Sequence, residues 1–392
     1  MITRKLQDEL ITLAGEYPIV TLIGPRQSGK TTLAKMSFPH YKYCSLEDPD
    51  IRRYAQNDPR SFLKDYGHKV ILDEIQRVPE LLSYIQSLVD DKDENGEEKN
   101  GQFILTGSHQ LKLRSEINQS LAGRTALLIL LPLSLEELGA QVNDLSKEEI
   151  LYTGLFPRIY NKQLNPTKAY ANYYQTYVER DVRQLIHLKD VHHFEKFLKL
   201  LAGRVGQIVN LNSLANDVGV SSTTLKEWLS VLEASFIIFK LAPYFENFGK
   251  RVIKSPKIYF VDCGLLCYLL NIENPMTLKR DPLIGNIFEN FVFLECMKAR
   301  LNQGLLPNIY FYRDSNGNEV DLVYKFGHQL IPIEIKSAGT FNHFFEKGVL
   351  QFQKLTDYAS TGYIIYNGDF FPRTDHYEVI NFRQTYKIFN SK

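Results

Sequence analysis

The 392 residues are too many for one hydrophobic core, because single cores stop growing at about 250–300 residues, so two or three domains are expected. Hydrophobic residues make up 44% and charged residues 23%, which excludes a disordered or fibrous chain. The 46 basic residues balance the 45 acidic ones, so any binding to nucleic acid or to an anionic membrane would need a local patch.

Neither the cysteines nor the apolar residues suggest an oxidising or membrane environment. The 4 cysteines show no paired CxxC spacing, so we expect reduced thiols and no zinc site. The N-terminus has no signal-peptide pattern, and no stretch reaches about 18 apolar residues. The sequence therefore predicts a cytoplasmic protein with no membrane partner.

Short apolar runs in the first third of the chain predict buried strands. They lie at residues 17–23, 69–72, 102–105 and 125–130, and amphipathic helical stretches separate most of them. This alternation favours an α/β fold with a parallel sheet. The almost wholly polar segment 90–101 is expected to form an exposed, mobile loop.

The first chemical motif follows the first predicted strand. Gly24–Thr31 reads GPRQSGKT and matches the Walker A pattern G-x-x-x-x-G-K-(S/T) in full, between a strand and a helix. Such a loop cradles phosphates with backbone N–H groups, Lys30 reaches the β and γ phosphates, and Thr31 offers its hydroxyl to Mg²⁺. ATP is the expected nucleotide, with GTP left open. The predicted nucleotide-binding residues are Gly24, Pro25, Arg26, Gln27, Ser28, Gly29, Lys30, Thr31 and Thr32.

A second motif, at the end of the second apolar run, completes a hydrolytic site. Residues 70–74 read VILDE, so Asp73 is predicted to hold Mg²⁺ through water and Glu74 to act as general base. Thr106 or Ser108, after the third run, is predicted to sense the γ phosphate. Arg124 is predicted to present a guanidinium to a γ phosphate, in cis or across a homo-oligomer contact; the alternative is a structural ion pair.

The sequence pattern in the middle of the chain predicts helices, followed by a module of a type that often binds DNA. Residues 132–203 have helical spacing, and residues 212–229 read as helix-turn-helix, followed by strand-like runs that suit a wing. The alternative is that the second helix packs as core through Trp228, Leu229 and Leu232. The predicted phosphate contacts to DNA or RNA are Lys226, Lys250, Arg251, Lys254 and Lys257.

These segments together resemble a family of prokaryotic AAA+-like P-loop ATPases whose C-terminal half is a domain of unknown function. The resemblance covers nearly the whole chain and implies an α/β P-loop core with ATPase chemistry, but no biological role. The segments that carry it are 24–31, 72–76, 106–108, 122–124, 132–137, 177–181, 257–265 and 285–292.

A second candidate site lies near the C-terminus. Asp321 on one predicted strand precedes Glu334 and Lys336 on the next, and the alternation of a strand places these side chains on one face. The pattern resembles a restriction-endonuclease-like core, in which two acids hold Mg²⁺ and the lysine assists hydrolysis. Glu289 on the preceding helix would add an acid, and Gln351 is expected to begin a later helix. The alternative is an ordinary hairpin with cross-strand ion pairs.

The predicted domains are a P-loop core (1–132), a helical lid (133–205), a winged helix (206–283) and a restriction-endonuclease-like α/β domain (284–392). Two functional hypotheses follow. One is a Mg²⁺-dependent ATPase that acts on DNA or RNA. The other is a nucleotide-switched interaction protein whose nuclease-like domain only docks partners.

Overall fold

The computed structural model describes residues 2–90, 100–108, 120–182, 191–245 and 255–390. The chain divides into two compact units. The first comprises Met1–Leu133 with Ala234–Phe236 and Leu301–Leu305, and the second comprises Ser134–Glu233, Ile237–Arg300 and Leu306–Lys392. The finer division of the second unit into three domains stays a prediction, and most of the predicted polar loop 90–101 lies outside the described residues.

A five-stranded parallel sheet forms the centre of the first unit. Its order is β2-β3-β4-β1-β5, and all four pairings are parallel, which confirms the predicted P-loop type of sheet. The fourth strand lies in the middle of the sheet, and the first strand lies between the fourth and the fifth. The strands are β1 (Ile19–Ile23), β2 (Lys42–Ser45), β3 (Val70–Asp73), β4 (Phe103–Gly107) and β5 (Thr125–Ile129).

Helices cover this sheet because their apolar faces need burial. Residues of the first two helices pack with the central strands, for example Leu10 and Leu33 against Val20 and Ile104. Prolines at the first helical turn and aspartate N-caps fix the starts of the third and fourth helices. The helices are α1 (Gln7–Glu16), α2 (Lys30–Ser37), α3 (Pro49–Asn57), α4 (Pro59–Tyr66) and α5 (Leu81–Asp90).

The second unit begins with helices, as the spacing predicted. Two of them start with a capping box, at Ser134 and at Ser146. Buried Asp262 ties this region together, since it accepts hydrogen bonds from the Tyr170 hydroxyl at 2.6 Å and the Leu155 amide at 2.7 Å. The helices are Leu135–Leu138, Lys147–Thr153, Pro157–Lys162, Pro166–Tyr173, a π-helix at Tyr174–Val182, and Val191–Ala202.

The helix-turn-helix elements are present. Helices Leu211–Val218 and Ser222–Ala234 are joined at Gly219, which has φ 93°. Strands β6 (Ile238–Leu241) and β7 (Lys257–Phe260) then pair antiparallel. Trp228 is buried, with its ring 5.4 Å from that of Phe194, so this residue packs as core, which was the alternative prediction. A winged helix that binds DNA stays a prediction.

A mixed sheet of order β12-β11-β10-β9-β8 organises the last part of the chain, as predicted for an α/β domain. In chain order, the first three strands of this sheet form an antiparallel meander; the fourth then pairs in parallel with the third, and the fifth pairs in parallel with the fourth. The strands are β8 (Ile309–Arg313), β9 (Glu319–Phe326), β10 (Gln329–Lys336), β11 (Gly362–Tyr366) and β12 (Tyr377–Asn381). The helices are Cys263–Leu269, Pro275–Lys279, Ile284–Leu301, Lys347–Gln353 and Lys387–Asn390.

Candidate functional site

The phosphate-binding loop joins β1 to α2 at the carboxyl edge of the parallel sheet. Gly29 has φ 94°, in the left-handed region that glycine adopts without strain. A Cβ built on Gly24 would lie 2.1 Å from the carbonyl oxygen of Leu130, so no other residue fits there. The backbone of the loop therefore requires the glycines of the motif.

Lys30 is buried at the start of α2. Its ammonium donates to the carbonyl oxygens of Gly24 at 3.0 Å and Pro25 at 2.8 Å. Burial, with a smaller effect from Arg26, lowers the pKa of Lys30 to about 8, although Glu74 and Asp73 act in the opposite direction. The loop therefore holds a partly desolvated cation that a phosphate would stabilise.

Asp73, the last residue of β3, lies beside the loop. Its Oδ1 accepts a hydrogen bond from the Thr31 hydroxyl at 2.9 Å and another from Thr106, while its Oδ2 accepts one from the Tyr43 hydroxyl at 2.8 Å. The predicted pair of Asp73 and Thr31 is thus brought together. Burial and the hydrogen bond to Asp73 raise the pKa of Tyr43 to about 12. Tyr43, which lies on β2, is not among the site residues predicted from the sequence.

Glu74 follows β3 in a left-handed conformation, with φ 58° and ψ 47°. Its Oε2 accepts hydrogen bonds from the Ser108 hydroxyl at 3.0 Å and from the Gln76 amide, which also donates to Ser108 Oγ at 3.1 Å. Its backbone N–H donates to Thr106 Oγ1 at 3.3 Å. The two residues predicted as sensors therefore touch the acidic pair, and Gln76 is a further contact whose role the motif did not reveal.

Arg124 lies at the opposite edge of the sheet, so a role at the γ phosphate of its own subunit is wrong. Thr125 pairs with Ile19 and Ile129 with Ile23, so Arg124 lies at the amino end of the strands and the loop at the carboxyl end, about 20 Å away for six residues at 3.3 Å each. Its guanidinium instead pairs with Asp90, with one N–O distance of 2.9 Å. The ion-pair alternative is what the structure shows, and a role in trans stays a prediction.

Arg4 contacts the phosphate-binding loop, and Arg26 of the loop shares an acidic neighbour with Arg77. Buried Arg4 donates to the carbonyl oxygens of Ser28 at 2.6 Å and Leu131 at 2.7 Å. Arg26, within the loop, and Arg77, just after Glu74, each lie near the same oxygen of Glu47, at 3.7 and 3.9 Å. Neither Arg4 nor Glu47 carries a motif signal, because both stand in segments of ordinary composition.

The C-terminal candidate residues also meet. The backbone amide of Ile335 donates to Asp321 Oδ2 at 2.8 Å, and the Lys336 ammonium lies 3.6 Å from that same oxygen and 2.5 Å from Glu334 Oε1. Burial, and then Asp321, raise the pKa of Glu334 to about 8. Glu334 Oε2 is buried and has no hydrogen-bond partner among the described residues.

Lys257 belongs to this cluster, so its predicted role as a surface contact to nucleic acid is wrong. It is 2% exposed and pairs with Glu289 at 3.0 Å and Glu319 at 2.7 Å. Burial disfavours its charge, but Glu289, Asp321 and Glu319 outweigh that effect and raise its pKa. Burial also disfavours the charged form of Glu289 and thereby raises its pKa, although the neighbouring Lys257 acts to lower it.

The remaining predicted contacts divide between exposed and undescribed positions. Lys226 is exposed on helix Ser222–Ala234, while Lys250, Arg251 and Lys254 lie outside the described residues.

Gln351 lies inside helix Lys347–Gln353 and does not begin it, and with Glu319 it lines a cavity of about 560 Å³. Within the described ranges, no group of three His, Cys, Asp or Glu side chains is arranged to hold a metal ion. In the same ranges, no helix is long and apolar enough to cross a membrane.

The parallel sheet, the glycine loop and the acidic pair at its edge define the first unit as a P-loop nucleoside-triphosphatase fold. Three family descriptions match the chain: an AAA domain at residues 16–139, a domain of unknown function (DUF8612) at 145–276, and another (DUF4143) at 284–385. The chain belongs to the family of prokaryotic AAA-type P-loop ATPases with a C-terminal domain of unknown function.

Two curated relatives and one solved structure are similar to this chain. An uncharacterized protein of Mycobacterium tuberculosis is 33% identical over 328 residues, which cover 82% of this chain and 71% of that protein, and one of Mycobacterium bovis gives the same values. Among solved structures, the Walker-type ATPase paby2304 of Pyrococcus abyssi is 15% identical with a TM-score of 0.45, covering 68% of this chain and 94% of that chain.

Proposed function

We propose that this protein binds ATP together with Mg²⁺ at the carboxyl edge of the parallel sheet and hydrolyses it. The observation that carries the proposal is the convergence of Lys30, Thr31, Asp73 and Glu74, which come from a loop, a helix and a strand end, around one glycine-rich turn. A phosphate chain at the start of α2 would meet backbone N–H groups and the positive end of the helix dipole.

The residues fit both the nucleotide and the metal ion. The Lys30 ammonium would exchange its two carbonyl partners for oxygens of the β and γ phosphates, which stabilise its charge better than neutral carbonyls do. Thr31 and Asp73 offer hard oxygen donors 2.9 Å apart, which is the chemistry that Mg²⁺ prefers. When bound, Mg²⁺ neutralises negative charge on the β and γ phosphates.

Glu74 supplies the base. Its carboxylate accepts a proton from the attacking water, whose oxygen forms a bond to the γ phosphorus while the bond from that phosphorus to the bridging oxygen of ADP breaks, giving ADP and phosphate. Ser108 and Gln76 hold Glu74 Oε2, so the carboxylate is oriented before substrate binds. This contact gives a role to Ser108, the residue that follows β4.

Two substitutions test the proposal. Lys30→Ala is expected to weaken ATP binding at least about tenfold, and Glu74→Gln to retain binding while the rate of phosphate release falls about 10²-fold or more. Binding is measured with a fluorescent ATP analogue and hydrolysis by phosphate release, with ATP and GTP compared. Lys64→Ala, at an exposed lysine of α4, is the matched control. If Lys30→Ala binds and hydrolyses ATP as the wild type does, the proposal is wrong.

We further propose that the charged cluster around Asp321 and Glu334 is a nuclease-like site through which the ATPase acts on DNA or RNA. The buried Oε2 of Glu334, without a hydrogen-bond partner in the described part of the chain, supports a site that takes a further ligand. Lys257 and Lys336 already neutralise part of the acidic charge, which also suits a domain that only docks partners.

A Mg²⁺-dependent nicking assay separates these two outputs. Wild type is expected to cleave single- or double-stranded DNA or RNA, and Asp321→Ala to cleave none, with Lys30→Ala as the control that keeps the C-terminal cluster intact. Cleavage of no substrate by the wild type would favour the docking role. A homo-oligomer in which Arg124 acts in trans is a separate proposal, tested by measuring the mass in solution with ATP.

A further inference from the structure

A tyrosine on β2 holds the carboxylate at the end of β3. The Tyr43 hydroxyl donates to Asp73 Oδ2 at 2.8 Å. The other oxygen, Oδ1, accepts hydrogen bonds from Thr31 at 2.9 Å and from Thr106. Parallel pairing brings Tyr43 to this position, because Ser45 lies opposite Asp73 and alternate residues of a strand face the same side. The two carboxylate oxygens are therefore held by different elements of the fold.

Contacts to the ring and to the hydroxyl fix the orientation of Tyr43. The Lys35 ammonium, from α2, lies 3.3 Å from the centroid of the ring, which is a cation–π contact. The Ser45 side chain adds a hydrogen bond to Tyr43. Tyr43 is 39% exposed, so packing in the core does not hold it in place. Its orientation depends instead on polar and charged neighbours, which direct its hydroxyl at Asp73.

The hydrogen bonds within the described part of the chain leave Asp73 few acceptor positions. An ionised carboxylate has about four such positions, two on each oxygen. Thr31 and Thr106 occupy both positions of Oδ1, and Tyr43 occupies one position of Oδ2. The position that these three bonds leave is on Oδ2, beside the bond from Tyr43. A water ligand of Mg²⁺ that binds Asp73 would use it, so Tyr43 controls the direction in which the carboxylate presents it.

We infer that Tyr43 is a positioning residue for the metal ion: its hydroxyl orients the Asp73 carboxylate and thereby favours ATP with Mg²⁺ over ATP alone. This inference rests on the proposed function, because it requires both at the phosphate-binding loop. Without the hydroxyl, the carboxylate would keep only the bonds on Oδ1, and Oδ2 would be less well oriented. Hydrogen bonds that orient a metal ligand contribute about 10–100-fold to metal affinity, and a contact through water should contribute less.

The test removes the hydroxyl and keeps the ring. For Tyr43→Phe, affinity for a fluorescent ATP analogue is expected to fall about five- to tenfold in Mg²⁺ and to change less than about twofold in EDTA. Affinity of the ATP-loaded protein for Mn²⁺, measured by electron paramagnetic resonance, should fall by a similar factor of about five to ten. Tyr54→Phe is the matched control, because the Tyr54 hydroxyl also donates to an aspartate oxygen, Asp65 Oδ2, at 2.8 Å. That variant should change none of these affinities.

Two outcomes would overturn the inference: equal losses of ATP affinity in Mg²⁺ and in EDTA for Tyr43→Phe, or no loss in either. Equal losses would mean that Tyr43 supports the loop in general and does not act through the metal ion. Circular dichroism and melting temperature show that both tyrosine variants are folded. If Lys30→Ala weakens binding while Tyr43→Phe has no effect that depends on Mg²⁺, only this inference fails. If Lys30→Ala binds ATP normally, the proposed function itself fails.

Discussion

Arg4→Ala should loosen the phosphate-binding loop from a position that is distant in sequence. Arg4 is 8% exposed, and its two terminal nitrogens donate to the carbonyl oxygens of Ser28, in the loop, and Leu131, just after β5. These contacts join the N-terminal segment, the loop and the edge strand. Truncation to alanine removes both donors and leaves two carbonyl groups without them.

The magnitude follows from the two bonds. A hydrogen bond from a charged donor contributes about 1.5–3 kcal/mol, so the pair is worth about 3–6 kcal/mol before water replaces either donor. We expect a loss of about 3 kcal/mol in the free energy of unfolding, since the shortened side chain lets some water reach the carbonyls. For a unit of this size that corresponds to a fall of roughly 6–12 °C in melting temperature.

Urea and thermal unfolding, followed by circular dichroism, measure the stability, and binding of a fluorescent ATP analogue reports on the loop. Arg53→Ala is the control, because that side chain is 73% exposed and should change stability by less than about 0.5 kcal/mol. Arg4→Lys should fall between Arg4→Ala and the wild type, since one ammonium bridges two carbonyls less well than a fork does. Equal effects of Arg4→Ala and Arg53→Ala would refute the reasoning.

Three further changes test separate features. Gly24→Ala places a Cβ 2.1 Å from the carbonyl oxygen of Leu130, so ATP affinity should fall more than about tenfold in equilibrium binding, whereas Gly15→Ala, with no atom within 4 Å, should not change it. Because the pKa of Lys30 is about 8 and phosphate favours its charged form, ATP affinity should fall as pH rises above about 8. Calorimetry of ATP binding in two buffers should detect proton uptake in that pH range, and its absence would contradict this assignment. Burial raises the pKa of Glu334 to about 8, so the folded state retains a proton that the unfolded state loses from about pH 4.5 upward; the free energy of unfolding should fall between these values, and Glu334→Gln should remove that slope in urea titrations.

The sequence predicted the parallel sheet and the loop because both depend on local patterns. The apolar run that stops at Gly24 and the run that ends in Asp73 can each be recognised as a strand from consecutive residues alone. Parallel pairing then brings the ends of such strands to one edge of the sheet. The same rule could have corrected Arg124. It precedes its strand, and residues before a parallel strand lie at the edge opposite to residues that follow one.

Residues that act through long-range pairing could not be predicted. Tyr43 lies on a four-residue strand whose sequence, KYCS, contains no apolar run that would predict a strand. It reaches Asp73 only because β2 is next to β3. Lys257 resembled a surface cation because basic residues precede it, yet Glu289 and Glu319, 32 and 62 positions later, surround it. Burial of a charged side chain depends on partners that the local sequence does not contain.

The contacts that the charged side chains of the nucleotide site already make within the protein determine which of these side chains ATP would displace. Lys30 donates to two neutral carbonyl oxygens of the loop, whereas Asp73 accepts three hydrogen bonds from hydroxyl groups. Binding free energy is the difference between the new phosphate contacts and these existing ones, so the weakest internal contact is exchanged at the lowest cost. Asp73 should therefore stay in place and fix the metal position, while the Lys30 ammonium leaves its carbonyl partners for the phosphate oxygens. A structure with a non-hydrolysable ATP analogue in which Asp73 moves and the Lys30 ammonium keeps both carbonyl partners would contradict this order.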